Sequence, residues 1–145
     1  MIEVAMLVTR KNFSLITVFG EYARVLFPVE YALEVHKRHP GLVARMVHTH
    51  PDGMTFLSEE DRTTLKAWTM AFAPYNIYME VICKSLNADK PKIFRKAYWY
   101  ELEPLKTWLL TDRKNPRTME LKEIDLSSDC TFKWVRKILK FSYLE

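Results

Sequence analysis

The stretch from Leu42 to His50 constrains the fold more than any other part of the chain. Its first six residues, Leu-Val-Ala-Arg-Met-Val, are largely apolar and partly β-branched, and they follow the turn-forming pair Pro40-Gly41. This composition predicts a largely buried β-strand. Two imidazoles, His48 and His50, end the strand, and they share one face because alternate residues of a strand do so.

A turn and a helix follow this strand. Pro51-Asp52-Gly53 is a turn signal at which the chain leaves the sheet. A helix is predicted over residues 58–73, and Pro74 ends it. Its buried side has the spacing i, i+3, i+4, i+7, at Leu65, Trp68, Thr69 and Phe72. Asp61 then lies on the first helical turn, where the helix dipole favours a carboxylate.

His48, His50 and Asp61 form a candidate set of metal ligands. Side chains at i and i+2 on one strand face are about 6.5–7 Å apart along the chain, so both imidazoles can reach one ion. Zinc binds neutral histidine nitrogens and carboxylate oxygens. Three protein ligands leave one tetrahedral position for water, which distinguishes catalytic zinc sites from structural ones.

Simpler interpretations apply to parts of this segment. The pattern from Ser58 to Asp61 is also typical of a helix cap. A His-x-His pair at a strand end, taken alone, is more often incidental than metal-binding. We favour the metal site because the four residues occur together in the order strand end, turn and helix start.

The same segment resembles the motif of the JAMM/MPN metalloprotease family, His-x-His-x7-Ser-x2-Asp. The match holds at every spacing, at His48, His50, Ser58 and Asp61. Pro51 follows the second histidine as in the family, whereas Leu57 stands where many members have proline. The resemblance covers roughly residues 1–100. It implies an α/β (α+β) fold of the JAMM/MPN, cytidine-deaminase-like architecture, with a mixed β-sheet flanked by helices.

The family also has a glutamate on an early strand, upstream of the histidines. Glu3 is the first candidate, because it begins the apolar run 4–8, a central-strand pattern, 45 positions before His48 (48 − 3). Glu21 is the alternative. It lies between the apolar runs 13–19 and 22–27, so we predict it to be a hairpin-turn residue exposed to solvent.

Two other upstream carboxylates are predicted to be surface charges. Glu30 and Glu34 lie in a predicted helix over residues 29–38. Glu34 and Arg38 are spaced i, i+4 there, which predicts an ion pair on a solvated face.

The resemblance implies a zinc-dependent metalloprotease or isopeptidase, a hydrolase that holds one zinc ion with a bound catalytic water. Glu3 is expected to act first as general base and then as general acid. Ser58 is expected to donate a hydrogen bond to the oxyanion of the tetrahedral intermediate. The family also implies the substrate, an amide bond after the C-terminal tail of a ubiquitin-like or sulfur-carrier protein.

The whole sequence fits one domain over residues 1–145. The predicted strands are 3–9, 13–19, 22–27, 42–50, 76–84 and 92–100. Besides the helices 29–38 and 58–73, a C-terminal helix is predicted from about Asp129, after a charged connection. These elements indicate a mixed sheet with helices packed on it.

Localisation and redox chemistry follow from what the sequence lacks. It has no basic-then-apolar signal pattern and no apolar run near the ~18 residues of a membrane span, so we expect a cytoplasmic protein without a membrane partner. Cys83 and Cys130 are lone cysteines and form no Cys-x-x-Cys pair. This counts against a structural zinc site or a redox motif.

A second hypothesis is a non-catalytic binding module, MPN-like or similar to the RadC branch. The net charge is +4, and the predicted C-terminal helix has a basic stripe at the spacing i, i+3, i+4, i+7, formed by Lys133, Arg136, Lys137 and Lys140. A solvated helix face is the simpler interpretation, and contact with nucleic acid or an acidic protein is the functional one. Scaffolding MPN domains have usually lost motif residues, so the intact motif favours the enzyme.

Overall fold

The computed structural model describes residues 1–22, 24–51, 53–85, 92–101 and 119–143. Within these ranges the chain is a mixed α+β fold with one six-stranded sheet and three helices. The strands are β1 (Val4–Thr9), β2 (Ser14–Phe19), β3 (Val43–Thr49), β4 (Tyr78–Ser85), β5 (Lys92–Tyr100) and β6 (Leu121–Asp125). The helices are α1 (Val29–Arg38), α2 (Glu59–Phe72) and α3 (Lys133–Ser142).

The strands lie in the order β2-β1-β3-β4-β5-β6. β3 and β4 are parallel and the other neighbouring pairs are antiparallel. A parallel pair needs a crossover connection, and α2 provides it between β3 and β4. β1 lies between the edge strand β2 and β3, and it pairs with β3 so that Ala5 is opposite His48.

Each face of the sheet has its own hydrophobic core. On one face Met46 packs with Leu65, Trp68 and Phe72 of α2. On the other face Val47 packs with residues of α3, namely Trp134, Val135, Ile138 and Leu139. The alternation of side chains along β3 separates the two cores, because neighbouring residues point to opposite faces.

A buried ion pair also joins α3 to the sheet. Nε of Arg95 lies 2.8 Å from Oε2 of Glu80, and Nη2 of Arg95 lies 2.9 Å from Oε1 of Glu80. Arg95 also donates to the main-chain carbonyl of Asp129, just before α3, and its guanidinium packs against the Trp134 ring. Glu80 is fully buried and holds the Arg95 guanidinium in place. The contacts of Arg95 with Asp129 and Trp134 then fix where α3 begins relative to β4 and β5.

Two sequence predictions of secondary structure are wrong. Of the predicted strand 22–27, the described residues form only an isolated bridge between Glu21 and Arg24, which closes a tight turn. Among the described residues the run pairs with no strand of the sheet, and Leu26 is left 64% exposed. The apolar sequence of this run predicted a buried strand, but a strand also needs a neighbouring strand to pair with.

The second error concerns the predicted charged connection. Leu121–Asp125 forms β6 and pairs with β5 at the edge of the sheet, although its sequence is mostly charged. Charged residues suit an edge strand that faces solvent. Such a sequence lacks the apolar pattern of a buried strand, so this strand was not predicted. Residues 102–118 of the same connection lie outside the described ranges.

The helix predictions agree more closely with the structure. α1 has the predicted bounds, and the predicted ion pair between Glu34 and Arg38 joins two exposed side chains at 3.4 Å. α3 begins at Lys133, four residues later than Asp129. Within the described ranges no helix combines the length and apolarity that a membrane crossing requires.

Candidate metal centre

The end of β3 brings two imidazoles together on the face that carries α1 and α2. His48 is the penultimate residue of β3, and His50 follows the strand directly. Both side chains are buried, and Nε2 of His48 lies 2.7 Å from Nε2 of His50. The fully buried Ala5 lies opposite His48 in the neighbouring strand β1, and its small side chain leaves room for the ring.

The first turn of α2 adds a carboxylate to this pair. Oδ2 of Asp61 lies 3.2 Å from Nε2 of His48 and 3.2 Å from Nε2 of His50. Between β3 and α2 the main-chain N–H of Met54 donates to the carbonyl of Pro51. Gly53 has φ +74°, a conformation that favours glycine, and it allows the tight connection.

Asp61 is held in place by the cap of its own helix. Oγ of Ser58 accepts a hydrogen bond from the main-chain N–H of Asp61 at 3.0 Å, and Oδ2 of Asp61 accepts one from the N–H of Ser58 at 3.0 Å. This is a capping box, so the capping interpretation of the sequence describes a real interaction. The box does not exclude the site, because the capped carboxylate oxygen is the one that faces both imidazoles.

The group of His48, His50 and Asp61 can hold a metal ion. Three lone-pair-bearing atoms converge within 3.2 Å of one another, and a single proton cannot satisfy all three contacts. In a tetrahedral zinc site, ligand bonds of about 2.0–2.1 Å place neighbouring ligand atoms about 3.3 Å apart. The two distances to Asp61, 3.2 Å each, are close to that value, and the 2.7 Å between the imidazole nitrogens is shorter. The donor set can therefore hold one small divalent cation.

The protonation states also suit a cation. Burial is the largest influence on His48 and lowers its pKa, which keeps the ring neutral. Burial raises the pKa of Asp61, but hydrogen-bonding contacts with His48 and His50, together with the N–H of Ser58, lower it more. The Asp61 pKa therefore lies well below its usual range, and the group presents the neutral His48 imidazole beside an ionised carboxylate.

The outer nitrogens of both imidazoles are unusual. Nδ1 of His48 and Nδ1 of His50 are buried and have no hydrogen-bond partner among the described residues. Metal-bound histidines usually donate from this second nitrogen to a carboxylate or carbonyl. Here the ring of Phe27 packs edge-on against His48, with the ring centroids 5.2 Å apart, so packing orients this imidazole.

Glu3 lies beside the same group of residues. Ala5 of β1 lies opposite His48 of the antiparallel strand β3. Glu3 comes two residues before Ala5 and His50 two residues after His48, so both side chains lie at the same end of the site. Burial is the main cause that raises the pKa of Glu3 to about 7, with smaller contributions from Asp61 and Glu60, while His50 acts in the opposite direction. A carboxyl group with this pKa can take up and release a proton near neutral pH.

Glu21, the alternative glutamate, has a different position. Its main-chain carbonyl accepts a hydrogen bond from the N–H of Glu3 at 2.9 Å, but its side chain is exposed. Glu3 lines a groove that leads to this centre, and Glu21 is not among the residues that line it. The structure thus brings Glu3, and not the Glu21 carboxylate, to the candidate site.

A groove of about 620 Å³ leads to this centre. At the metal end it is lined by Glu3, His50, Ser58 and Asp61. One wall is formed by residues of α2 between Glu60 and Trp68, and the other by Tyr22, Arg24, Val25, Leu26, Phe27 and Val29. The chain therefore places an open, mostly apolar channel beside three convergent atoms that could bind a metal ion.

Sequence reasoning missed the residues that shape this groove. Val25, Leu26 and Phe27 line it, but their apolar run had predicted a strand. No signal in the sequence indicated the role of Phe27 under His48, because that contact joins residues 21 positions apart (48 − 27).

Comparison with known proteins adds no identification: no protein-family model matches the chain, and no curated protein matches it.

The raised pKa of Glu3 predicts a pH-dependent stability of the metal-free protein. Its folded-state pKa of about 7 exceeds the ordinary value of 4.5, so the folded state binds more protons between these pH values. Stability should then fall as the pH rises from 4.5 to 7 and stay reduced above 7. We expect Glu3→Gln to raise the free energy of unfolding by about 1–2 kcal/mol at pH 8 and to change it little at pH 4.

Urea denaturation with a chelator present measures this difference. The exposed Glu21→Gln is the matched control and should change the stability little at either pH. A Glu3→Gln variant whose stability follows that of the wild type from pH 4 to pH 8 would contradict the buried, proton-binding position of Glu3.

Proposed function

We propose that the protein is a zinc-dependent metallopeptidase of the JAMM/MPN type. The observation that supports this most strongly is the convergence of His48, His50 and Asp61 at one end of a groove that also contains Glu3. Two imidazoles and one carboxylate are a typical donor set for catalytic zinc, and no cysteine belongs to the group. The JAMM/MPN architecture, with β1 and β3 carrying the site, is part of the same proposal.

His48, His50 and Asp61 hold the ion in this proposal. When bound, zinc supplies a Lewis acid that lowers the pKa of water and polarises the carbonyl of the scissile amide. The neutral imidazoles and the ionised carboxylate give the site a total charge of +1 with zinc, which favours a developing negative charge.

Glu3 performs the proton transfers. As a carboxylate it accepts the proton of the attacking water, and it then delivers that proton to the nitrogen of the leaving amine. The pKa of about 7 makes both steps accessible at neutral pH, because neither protonation state is strongly favoured. Its buried position at the end of the groove keeps the proton away from bulk solvent.

Ser58 stabilises the substrate oxygen. Its Oγ accepts a hydrogen bond from the N–H of Asp61, so its own proton remains available to donate. That proton is directed to the carbonyl oxygen, which becomes negative in the tetrahedral intermediate. The same hydroxyl therefore caps α2 and binds the oxyanion, because the two roles use opposite hydrogen-bonding functions.

A protein substrate with an extended tail suits the groove. The main-chain N–H groups of Val25 and Leu26 make no backbone hydrogen bond within the described ranges, so an extended peptide can pair with this wall. Large apolar side chains are exposed around the groove, at Tyr22, Leu26, Val29 and Met54. Such a rim suits contact with a folded partner, and the C-terminal tail of a ubiquitin-like or sulfur-carrier protein meets both requirements.

Two substitutions separate the proposed roles from metal binding. Glu3→Gln keeps the size of the side chain but cannot accept a proton, so zinc content should be unchanged and kcat should fall by about 10²-fold or more. Ser58→Gly removes the hydroxyl but costs the helix cap only a few tenths of a kcal/mol, and it should lower kcat by about 10²–10³. The measurement is cleavage of a ubiquitin-like protein fused through its tail to a reporter.

Glu21→Gln is the control and should cleave at the wild-type rate. Zinc content and thermal melting of every variant show that the losses are catalytic. If Ser58→Gly cleaves as fast as the wild type, the serine is a helix cap only. If Glu21→Gln is inactive and Glu3→Gln is active, the assignment of the general base is reversed.

A second candidate function is suggested by the exposed side of α3. Its four basic side chains are exposed, and the helix contains no acidic residue. Within the described ranges none of the four forms an ion pair, whereas Lys96 and Lys122 on the sheet pair with glutamates. We propose nucleic acid as the partner of this surface in the alternative, non-catalytic function.

The test is binding of a fluorescent single-stranded oligonucleotide at several salt concentrations. Arg136→Glu with Lys137→Glu should weaken binding more than 10-fold and make the salt dependence shallower by about 2 units of slope. The charge-matched control is Lys37→Glu with Arg38→Glu on α1. Equal losses in both variants, or no binding by the wild type, would contradict this candidate.

A further inference from the structure

The C-terminal end of α3 meets both chain segments that carry the candidate site, although it lies on the opposite face of the sheet. The main-chain carbonyl of Ser142 accepts a hydrogen bond from the N–H of Ile2 at 3.1 Å. The hydroxyl of Tyr143 donates to the main-chain carbonyl of His50 at 3.0 Å. We propose that Thr49, Ser142 and Tyr143 are positioning residues for Glu3 and His50, and we call these three residues the α3 clasp.

A chain of buried hydroxyl groups forms the first half of the clasp. The N–H of Val4 lies 2.9 Å from Oγ1 of Thr49, which lies 2.9 Å from Oγ of Ser142. Oγ of Ser142 in turn bonds to the carbonyl of Ile2. Thr49 and Ser142 are 0% and 1% exposed, so water does not compete for these groups.

The direction of each hydrogen bond in this chain is determined. A carbonyl only accepts, so the proton of the Ser142 hydroxyl goes to Ile2. The proton of the Thr49 hydroxyl must then go to Ser142, and Thr49 accepts from the N–H of Val4. Each hydroxyl donates once and accepts once, so removal of either one leaves buried polar groups without partners.

This chain fixes the backbone on both sides of Glu3. Ile2 and Val4 are bound to the clasp, while the N–H and carbonyl of Glu3 itself bond to Glu21 and Gly20. Glu3 lies just before the first residue of β1, so these contacts hold its backbone where the strand has not yet begun. The clasp therefore holds the Glu3 carboxylate at a constant distance from the metal-binding residues.

The second half of the clasp fixes His50. Thr49 lies between His48 and His50 but points to the opposite face of the sheet. The Tyr143 hydroxyl donates to the carbonyl of His50 and accepts from the N–H of Lys84, and the N–H of His50 donates to the carbonyl of Ile82. Both backbone groups of His50 are therefore bound just past the end of β3, where a strand would otherwise loosen.

Loss of the first half of the clasp and loss of the second half have different expected effects. The expected effect on rate rests on the proposed function. Thr49→Val replaces the hydroxyl with a methyl group of similar size, so Glu3 should lose its support. We expect kcat to fall about 10- to 100-fold at unchanged KM and full zinc occupancy. Tyr143→Phe should instead weaken zinc binding about 10-fold, because it frees the backbone of a ligand.

Amide hydrogen exchange followed by NMR gives a readout that needs no substrate. In Thr49→Val the amide of Val4 should exchange at least 10-fold faster, while those of Met6 and Val8 in the same strand keep their rates. Thr69→Val is the matched control, because Thr69 is also a buried threonine whose hydroxyl bonds within the protein, to the carbonyl of Leu65. It should change neither the exchange of Val4 nor kcat.

Thr49→Ser keeps the hydroxyl and should restore both the slow exchange of Val4 and the rate. Ser142→Ala breaks the same chain from α3 and tests the clasp if Thr49→Val does not fold. The inference is overturned if Thr49→Val and Ser142→Ala match Thr69→Val in exchange and in kcat, or if Tyr143→Phe binds zinc like the wild type. If the wild type cleaves no substrate, the proposed function fails, and the Val4 exchange rates and zinc affinity still decide the clasp.

Discussion

The antiparallel pairing of β1 with β3 is the constraint on which the site depends. Ala5 lies opposite His48, and the same register brings Glu3 and His50 to one end of these two strands. A shift of one residue in this register would turn the side chains of one strand to the other face. The carboxylate would then point toward α3 and the imidazoles toward α2. The buried residues on both faces make such a shift costly, so the core that stabilises the fold also sets the position of the site.

The capping box of α2 has a second use at this centre. Oδ2 of Asp61 accepts the N–H of Ser58 and also faces both imidazoles, so one oxygen atom serves helix stability and ligand geometry together. The hydrogen bond from the backbone orients the carboxylate before any ion binds. Preorganisation of this kind lowers the cost of assembling a site, because the side chain has little freedom left to lose. The two interpretations of the Ser58–Asp61 pattern are therefore compatible.

The local part of the site could be predicted from the sequence, whereas its surroundings could not. His48, His50 and Asp61 are brought together by a strand, a turn and a helix start, and each has a short-range signal in the residue order. Glu3 needed a long-range pairing, so the sequence left Glu21 open as an alternative, and the register of β1 with β3 favours Glu3. Phe27 and the α3 clasp act across distant parts of the chain, and no local pattern encodes such contacts.

The errors in secondary structure have the same physical origin. Val25, Leu26 and Phe27 of the predicted strand line a groove, and hydrophobicity alone does not distinguish a groove wall from a buried strand. β6 is charged because it lies at the sheet edge, and its pairing with β5 overrides a sequence that is weakly strand-like. In both cases the sequence does not show whether another strand lies beside the segment and pairs with it.

Metal content is the most direct test of the central claim, that His48, His50 and Asp61 bind one ion. The measurement is elemental analysis of purified protein after equilibration with zinc and removal of the excess, for the wild type and for His48→Ala with His50→Ala. The account predicts one equivalent of zinc per chain in the wild type and background levels in the double variant, with both proteins folded. Equal zinc content in the two folded proteins, or none in the wild type, would contradict it.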